Sequence, residues 1–282
     1  MSPAPFDRWE ERDALARLRY AHGPLERRAV LLALFLEPGN EAERHAWEAE
    51  CAGLAGAARW RDDVGRLGEA ARLPVFDALL ERARGAPEAE RAGLVEAARR
   101  VIGADGRVRP LDLLRWLVLR RVLLELPSGP AGMRPAAAPA SGQLPPRVAF
   151  DVLTAFLMRV VPQPGGDAPP GPVQQAWRER ALQGAADDAD PGLGAAAPDG
   201  ESTTEGERGA EGEGVLRALR ALEAESWMRR PRWLRAWIDA LPPPGPSGLG
   251  AVAAEALCLC ATLLDVPRPA SLAARYAVAP LG

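Results

Sequence analysis

One short segment of this sequence, residues 104–112, has a spacing of residue types that suggests bound-ion chemistry. It reads Ala-Asp-Gly-Arg-Val-Arg-Pro-Leu-Asp. Gly106 suits the left-handed backbone of a turn, and Pro110 suits the first position of a new helix. The carboxylates of Asp105 and Asp112 could therefore meet across the turn and hold a divalent cation, as in a shortened calcium-binding loop. The alternative interpretation is structural: Asp105 accepts hydrogen bonds from loop N–H groups, and Asp112 stabilises the N-terminal end of the next helix.

Histidine and cysteine are too few and too scattered for a metalloenzyme centre. His22 and His45 are the only histidines, and neither has a second histidine at the spacing of a zinc peptidase. The three cysteines, Cys51, Cys258 and Cys260, form no regular pattern, which argues against a disulfide framework. Cys258 and Cys260 are two residues apart on a predicted helix and point to different faces. We predict that all three are small buried side chains.

Other catalytic motifs are absent from the sequence. Residues 245–250 read Gly-Pro-Ser-Gly-Leu-Gly, but Leu249 stands where a nucleophile elbow needs its second glycine. All 35 basic residues are arginine, so the lysine-containing phosphate loop of nucleotide-binding proteins is impossible. We therefore predict a protein that is not an enzyme and has no cofactor, apart from the divalent cation considered above.

A group of large side chains near the C-terminal end has two interpretations. Trp227, Trp233 and Trp237 lie at helical spacing with Met228, among four arginines of the same stretch. They could pack in the core with arginine stems covering the rings. They could instead form an aromatic and arginine-rich surface that binds a protein partner, because Trp and Arg are common at binding hot spots.

The elements that position these residues are predicted to be helices. Apolar residues recur at helical spacing, alternation with period two is absent, and we predict an all-α fold. Asn40 precedes a helix as an N-cap, with Glu43 three residues later as in a capping box. Residues 111–126 are apolar on most sides, which predicts a central, buried helix. Pro74, Pro87 and Pro110 are predicted to stand at helix starts.

Composition divides the chain into two helical blocks joined by linkers. A Pro/Ala/Gly-rich stretch and a longer stretch of Ala, Asp, Glu and Gly separate the helical regions, and the second cannot bury enough apolar surface to order itself. The predicted parts are a helical bundle over 6–126, a linker over 127–146, one helix over 147–161, a largely disordered linker over 162–214 and a C-terminal helical block over 215–279.

Charge and hydropathy exclude two classes of partner. The net charge is −3, the calculated pI is about 5.7, and no block is basic enough to follow a nucleic-acid backbone. The longest apolar runs are short and contain charged residues, so we predict no integral membrane segment. The first residues lack the apolar stretch of a signal peptide, and we expect a cytoplasmic protein.

The motif around Asp105 resembles the signature of TerB-like (tellurite-resistance) helical domains: an apolar helix, Ala-Asp-Gly-Arg-Val, three residues, an acid and a Leu-rich helix. The chain is also similar, in the order of its segments, to the helical C-terminal region of long HtpX-like bacterial membrane zinc metallopeptidases. The similar segments are residues 29–36, 72–80, 101–124 and 257–272. The resemblance implies a TerB-like bundle, an accessory role and a possible cation at Asp105 and Asp112. It implies no proteolysis, because the peptidase domain is missing from this sequence.

Together these observations predict a non-enzymatic accessory protein that binds another protein, such as a membrane peptidase or a stress-response component. The alternative is a divalent-cation or envelope/metal-stress sensor of the TerB type, working through Asp105 and Asp112.

Overall fold

A computed structural model describes residues 5–125, 144–163, 170–187, 207–242 and 249–273. Within these ranges the chain forms thirteen α-helices and no β-strand, which confirms the all-α prediction. The helices are α1 (Pro5–Arg19), α2 (Pro24–Ala33), α3 (Glu41–Glu50), α4 (Ala57–Gly65), α5 (Glu69–Arg84), α6 (Glu88–Ile102), α7 (Pro110–Leu124), α8 (Pro146–Leu157), α9 (Pro172–Asp187), α10 (Glu207–Glu223), α11 (Arg230–Asp239), α12 (Ala251–Leu263) and α13 (Ala270–Ala273). None of these helices is long and apolar enough to cross a lipid bilayer.

Contacts between the helices divide the described residues into two compact units, one of α1–α7 with α13 and the other of α8–α12. Most of the predicted linker over 127–146 lies outside the described residues, and so do residues 274–279 of the predicted C-terminal block.

The segment 162–214, predicted to be a largely disordered linker, contains more helix than expected. Residues 164–169 and 188–206 lie outside the described part of the chain, but α9 forms between them and α10 begins at Glu207. The reason is visible in α9, where Trp177 and Ala181 are both completely buried. Composition alone predicted too little apolar surface to order this stretch, but the large side chain of Trp177 provides enough for a helix to pack.

The core of the first unit is built around α2. Its last five residues, Ala29–Ala33, are all buried, and the chain remains buried through Phe35. Trp47 of α3 packs here and donates its Nε1–H to the carbonyl of Ala29 at 2.9 Å. Phe76 of α5 meets Phe35 edge to face, with ring centroids 6.4 Å apart. The apolar C-terminal half of α2, enclosed by neighbouring helices, thus forms the centre of this bundle.

One predicted helix start is wrong. Pro74 was expected to begin a helix, but α5 begins at Glu69 and contains Pro74 in its interior. A proline there lacks the N–H that would continue the helical ladder, so the preceding turn needs support from packing. Ala71 and Leu73, both buried, provide it. Pro87 and Pro110 do stand at helix starts, as predicted.

The core of the second unit is aromatic. Phe150 of α8 lies against Trp233 and Trp237 of α11, with centroids 4.9 and 5.1 Å apart. Trp177 of α9 donates its Nε1–H to the Trp237 carbonyl at 3.0 Å. In α12, every residue from 253 to 261 is buried, including the acidic Glu255, as expected for a central helix that is apolar on most sides.

Candidate functional site

The turn between α6 and α7 holds Asp105 through its own loop and through the start of α3. Gly106 has φ of +74°, the left-handed conformation predicted for it. Asp105 Oδ1 accepts the Arg107 backbone N–H at 2.8 Å, and Oδ2 accepts the Asn40 side-chain amide at 2.8 Å. Partial burial acts to raise the pKa of Asp105, but these two hydrogen bonds and the nearby positive charge of Arg109 together leave the pKa below its ordinary value. The carboxylate therefore acts as an ionised acceptor that fixes the turn.

Asp112 lies in the first turn of α7, where it is almost completely buried between two arginines. Its Oδ2 accepts the Nε–H of Arg109 at 2.5 Å, and its Oδ1 accepts from Arg115 Nη1 at 3.2 Å. Both arginines reach beyond Asp112 to the C-terminal end of α2. Arg109 donates to the Phe35 carbonyl at 2.6 Å and Arg115 to the Leu34 carbonyl at 2.9 Å. Cations at this position stabilise the carbonyls that a helix end leaves unpaired.

Glu43 has a different role from the one predicted for it. Asn40 caps α3, as predicted, by accepting the Glu43 N–H at 3.2 Å. The Glu43 carboxylate, however, accepts the Glu37 N–H at 2.7 Å and lies 3.2 Å from Arg109. Burial raises the pKa of Glu43 above its ordinary value, and the Glu37 N–H and Arg109 only partly counter this effect. Nothing in the local sequence indicated Arg109 as its partner, because the two residues are 66 positions apart.

Three carboxylates converge beside this arrangement. One oxygen each of Glu37, Glu43 and Asp105 lies within 4.8 Å of the others, a separation that would suit one cation. Asp112 is not a member of this group, so the arrangement differs from the predicted pairing of Asp105 with Asp112, which remains a prediction. Arg109 already brings a positive charge to the group, 3.0 Å from Glu37 and 3.2 Å from Glu43. The arrangement is thus an ion-pair cluster that a metal ion could enter only in competition with a guanidinium.

The tryptophan and arginine group of the second unit separates into two parts. Trp233 and Trp237 are 2% and 0% exposed and belong to the core, whereas Trp227 and Met228 are 71% and 72% exposed. The difference arises because α11 begins at Arg230, so Trp227 and Met228 precede it in the turn after α10. The core and surface interpretations each hold for a different part of the motif.

Neighbouring arginines hold this turn in a defined conformation. Arg230 donates through Nε to the Glu225 carbonyl at 3.0 Å and through Nη2 to the Glu223 carbonyl at 2.7 Å. Arg232 stacks on the Trp233 ring, with Cζ 4.1 Å from the ring centroid. The exposed Trp227 is therefore presented from a braced turn, which lowers the entropy lost on binding.

The cysteines and histidines do not form a reactive centre among the described residues. All three cysteines are buried, and burial raises the pKa of Cys51 to about 11 and that of Cys260 further. Both thiols are thus protonated near neutral pH and poor nucleophiles. His22 and His45 lie at the surface, outside the carboxylate group described above.

Comparisons of the chain with protein-family models, with curated proteins and with solved structures find no significant match. The fold and the sites define an all-α protein. Its similarity to TerB-like domains and to the accessory region of HtpX-like peptidases remains a prediction from the motifs.

Proposed function

We propose that this chain is a non-enzymatic protein-interaction protein that binds an acidic partner surface through Trp227 and Met228. The observation that carries the proposal is the exposure of these two adjacent side chains, 71% and 72%, on a braced turn. Exposed apolar side chains that lie together and are rimmed by polar residues are typical of protein-binding sites, whereas single ones need no explanation. Burying a tryptophan removes about 150–250 Å² from water, which makes it an effective anchor at an interface.

The charges around the turn indicate what kind of surface the partner offers. Arg229 and Arg235 are exposed, and within the described ranges neither forms an ion pair. Arg230 and Arg232 are turned inward to Glu225 and to backbone carbonyls. The two outward-facing guanidinium groups favour a partner with carboxylates around an apolar recess, because complementary charge speeds association and excludes wrong partners.

A partner of this kind would be consistent with the accessory role predicted from the motifs. The resemblance to the helical region of HtpX-like peptidases makes a membrane peptidase, or another stress-response component of the same organism, the first partner to test.

Site-specific photo-crosslinking in the native host would test the proposal. A benzophenone amino acid at position 227 should give a discrete adduct, whereas the same group at Tyr20 of the first unit, which is equally exposed at 71%, should not. The double variant Arg229→Glu/Arg235→Glu should weaken the adduct at 227 at least fivefold. The proposal is wrong if positions 227 and 20 give the same pattern, or if position 227 labels lipid instead of protein.

A second candidate function, a divalent-cation sensor, is favoured by the three carboxylates around Asp105. A cation would have to replace Arg109 at Glu37 and Glu43, so any sensing by this site requires release of that guanidinium. Calorimetric titration with Ca²⁺, Mg²⁺ and Mn²⁺ tests this candidate. Binding that is lost in Asp105→Asn would support it, and the absence of heat with all three ions would exclude it.

A further inference from the structure

The sulfur-containing side chains of this protein differ in their access to solvent. Among the described residues these are three cysteines and two methionines. The cysteines are at most 5% exposed, and Met158, which directly follows α8, is 9% exposed, whereas Met228 is 72% exposed. In the described part of the chain, Met228 is therefore the sulfur-containing residue that an oxidant dissolved in water can reach.

The buried cysteines also compete poorly for such an oxidant because of their chemistry. The thiolate is the form of cysteine that reacts with peroxides, and burial raises the pKa of the Cys51 and Cys260 thiols. Cys258 is completely buried in α12. A methionine thioether has no proton to lose, so access to its sulfur decides how fast it reacts. Among the described residues, Met228 is thus the expected first target of a peroxide.

Met228 lies where oxidation would alter the surface and leave the fold intact. The Ser226 carbonyl accepts the Arg229 N–H at 2.8 Å, which closes a turn with Trp227 and Met228 as its two central residues. The turn depends on this backbone bond, whereas the Met228 side chain extends into solvent. Oxidation of Met158, in contrast, would bring a polar group into the core.

We propose that Met228 is an oxidation site at which hydrogen peroxide converts the thioether to a sulfoxide and thereby releases the acidic protein partner. This inference rests on the proposed function and concerns its regulation. The sulfur attacks one peroxide oxygen, so that an S–O bond forms and the O–O bond breaks. The proton on the transferred oxygen passes to the departing hydroxide, which leaves as water. A methionine sulfoxide reductase restores the thioether by oxidising two thiols to a disulfide and releasing the oxygen as water.

The sulfoxide weakens binding in either of two ways. Its S=O group is strongly polar, and burying it in the apolar recess of the partner without a donor is unfavourable. The adjacent guanidinium of Arg229, which is exposed, could instead donate to the sulfoxide oxygen. That hydrogen bond would take Arg229 away from the carboxylates of the partner. Either arrangement should lower the affinity at least roughly tenfold.

Peptide mass spectrometry of the purified full chain after treatment with excess hydrogen peroxide tests the site without any partner. In the folded protein, Met228 should become sulfoxide at least roughly tenfold faster than Met158, because only Met228 is accessible. In the urea-unfolded chain the two methionines should react equally fast. The melting temperature should stay unchanged when only Met228 is oxidised. Equal rates in the folded protein, or unfolding on oxidation of Met228, would overturn the proposal.

The regulatory effect is tested with the photo-crosslinker at position 227. The purified full chain is treated with peroxide, freed of it with catalase, mixed with lysate of the native host and irradiated. The adduct should be at least roughly tenfold weaker than that of the untreated chain, and a methionine sulfoxide reductase should restore it.

Met228→Leu is the matched control, since leucine keeps an apolar side chain and has no sulfur. Its adduct should survive the same peroxide treatment, which also separates Met228 from Met1 and Met133, both outside the described residues. An adduct that survives full oxidation of Met228, or that is lost equally in Met228→Leu, would overturn this inference and leave the proposed function standing. Absence of the adduct from the untreated chain would refute the proposed function as well.

Discussion

Arg109 Nη2 lies 3.2 Å from Oε1 of Glu43, and the Glu43 side chain is only 2% exposed. The same guanidinium lies 3.0 Å from Glu37 and 2.5 Å from Asp112. It thereby joins the loop between α2 and α3 to the turn before α7. Because Glu43 is shielded from water, its negative charge depends on this one cation and on the Glu37 N–H.

The first prediction concerns the stability that Arg109 provides. Arg109→Met keeps the aliphatic stem but leaves Glu43 as a poorly compensated buried charge and removes one of the cations paired with Asp112, which keeps its contact with Arg115. We expect the free energy of unfolding to fall by about 1–3 kcal/mol in urea denaturation followed by circular dichroism. The control is Arg99→Met, which removes an exposed pair with Glu96 and should cost less than about 0.5 kcal/mol. Equal losses in the two variants would contradict a central role for Arg109.

The second prediction concerns cations at the same place. Without the Arg109 guanidinium, the cluster of Glu37, Glu43 and Asp105 loses the positive charge that lies beside it. Ca²⁺ or Mn²⁺ at 5 mM, which exceeds the roughly 0.1–1 mM dissociation constants of weak extracellular calcium modules, should therefore raise the melting temperature of Arg109→Met more than that of the unmodified protein. Magnesium is a weaker test, because it is reluctant to give up its hydration shell. If the ions stabilise both proteins equally, Arg109 does not compete with them.

The local part of this arrangement could be predicted from the sequence, and the long-range part could not. The left-handed Gly106, the Asn40 cap and Pro110 at a helix start all follow from backbone chemistry within a few residues, and all three are confirmed. Glu43 three residues after Asn40 has the spacing of a capping box, which led to the wrong partner. Its real partner is determined by how α2, α3 and α7 pack.

The tryptophans show a second limit of predictions based on helical spacing. Helical spacing grouped Trp227, Trp233 and Trp237, but spacing alone does not say which of them lie in the core, and only Trp233 and Trp237 lie within α11, which begins at Arg230. That boundary decides which aromatic side chain is buried and which is offered to solvent. Helix ends depend on caps and packing that a period of 3.6 residues does not contain.

The third prediction concerns the pH dependence caused by Glu43. Its pKa in the folded protein is raised above the ordinary value of 4.5, so its stabilising effect is present below pH 4.5 and is lost as pH rises through the folded pKa. The unfolding free energy of the unmodified protein minus that of Glu43→Gln should therefore decrease between pH 4 and pH 8.

A matched control, Glu41→Gln, should show a pH dependence of the unfolding free energy with the opposite sign. The pKa of the exposed Glu41 is lowered by its hydrogen bond from Arg44, so the corresponding difference for Glu41→Gln should increase as pH rises from the folded pKa through about 4.5 and then stay constant up to pH 8. Two differences with the same slope would show that general charge, and not burial of Glu43, governs the response.

The fourth prediction concerns the polar contact inside the aromatic core of the second unit. The Thr154 hydroxyl accepts the Trp237 Nε1–H at 2.9 Å and donates to the Phe150 carbonyl at 2.6 Å. Thr154→Val keeps the shape but leaves the Trp237 donor buried without an acceptor, which should cost about 1–3 kcal/mol of unfolding free energy. In a Trp237→Phe background, which lacks the donor, the same substitution should cost at least 1 kcal/mol less (about one hydrogen bond). Additive losses in this double-mutant cycle would contradict the assigned hydrogen bond.

The fifth prediction concerns the end of α12, where Asp265 has φ of +56°. Asp265 N–H donates to the Thr262 carbonyl at 3.2 Å and Val266 N–H to the Ala261 carbonyl at 2.9 Å, a Schellman motif whose left-handed position favours glycine. Asp265→Gly should stabilise the second unit by about 0.5–1 kcal/mol, because the energy of the left-handed strain exceeds that of the exposed ion pair with Arg230, 3.7 Å away.

Two further variants serve as controls. Asp265→Asn removes the charge and tolerates the conformation, so its unfolding free energy should stay within about 0.5 kcal/mol of that of the unmodified protein. Asp265→Ala has neither advantage and should lose about 1 kcal/mol in thermal unfolding. An alanine variant as stable as the glycine variant would show that the backbone at this position is not left-handed in solution.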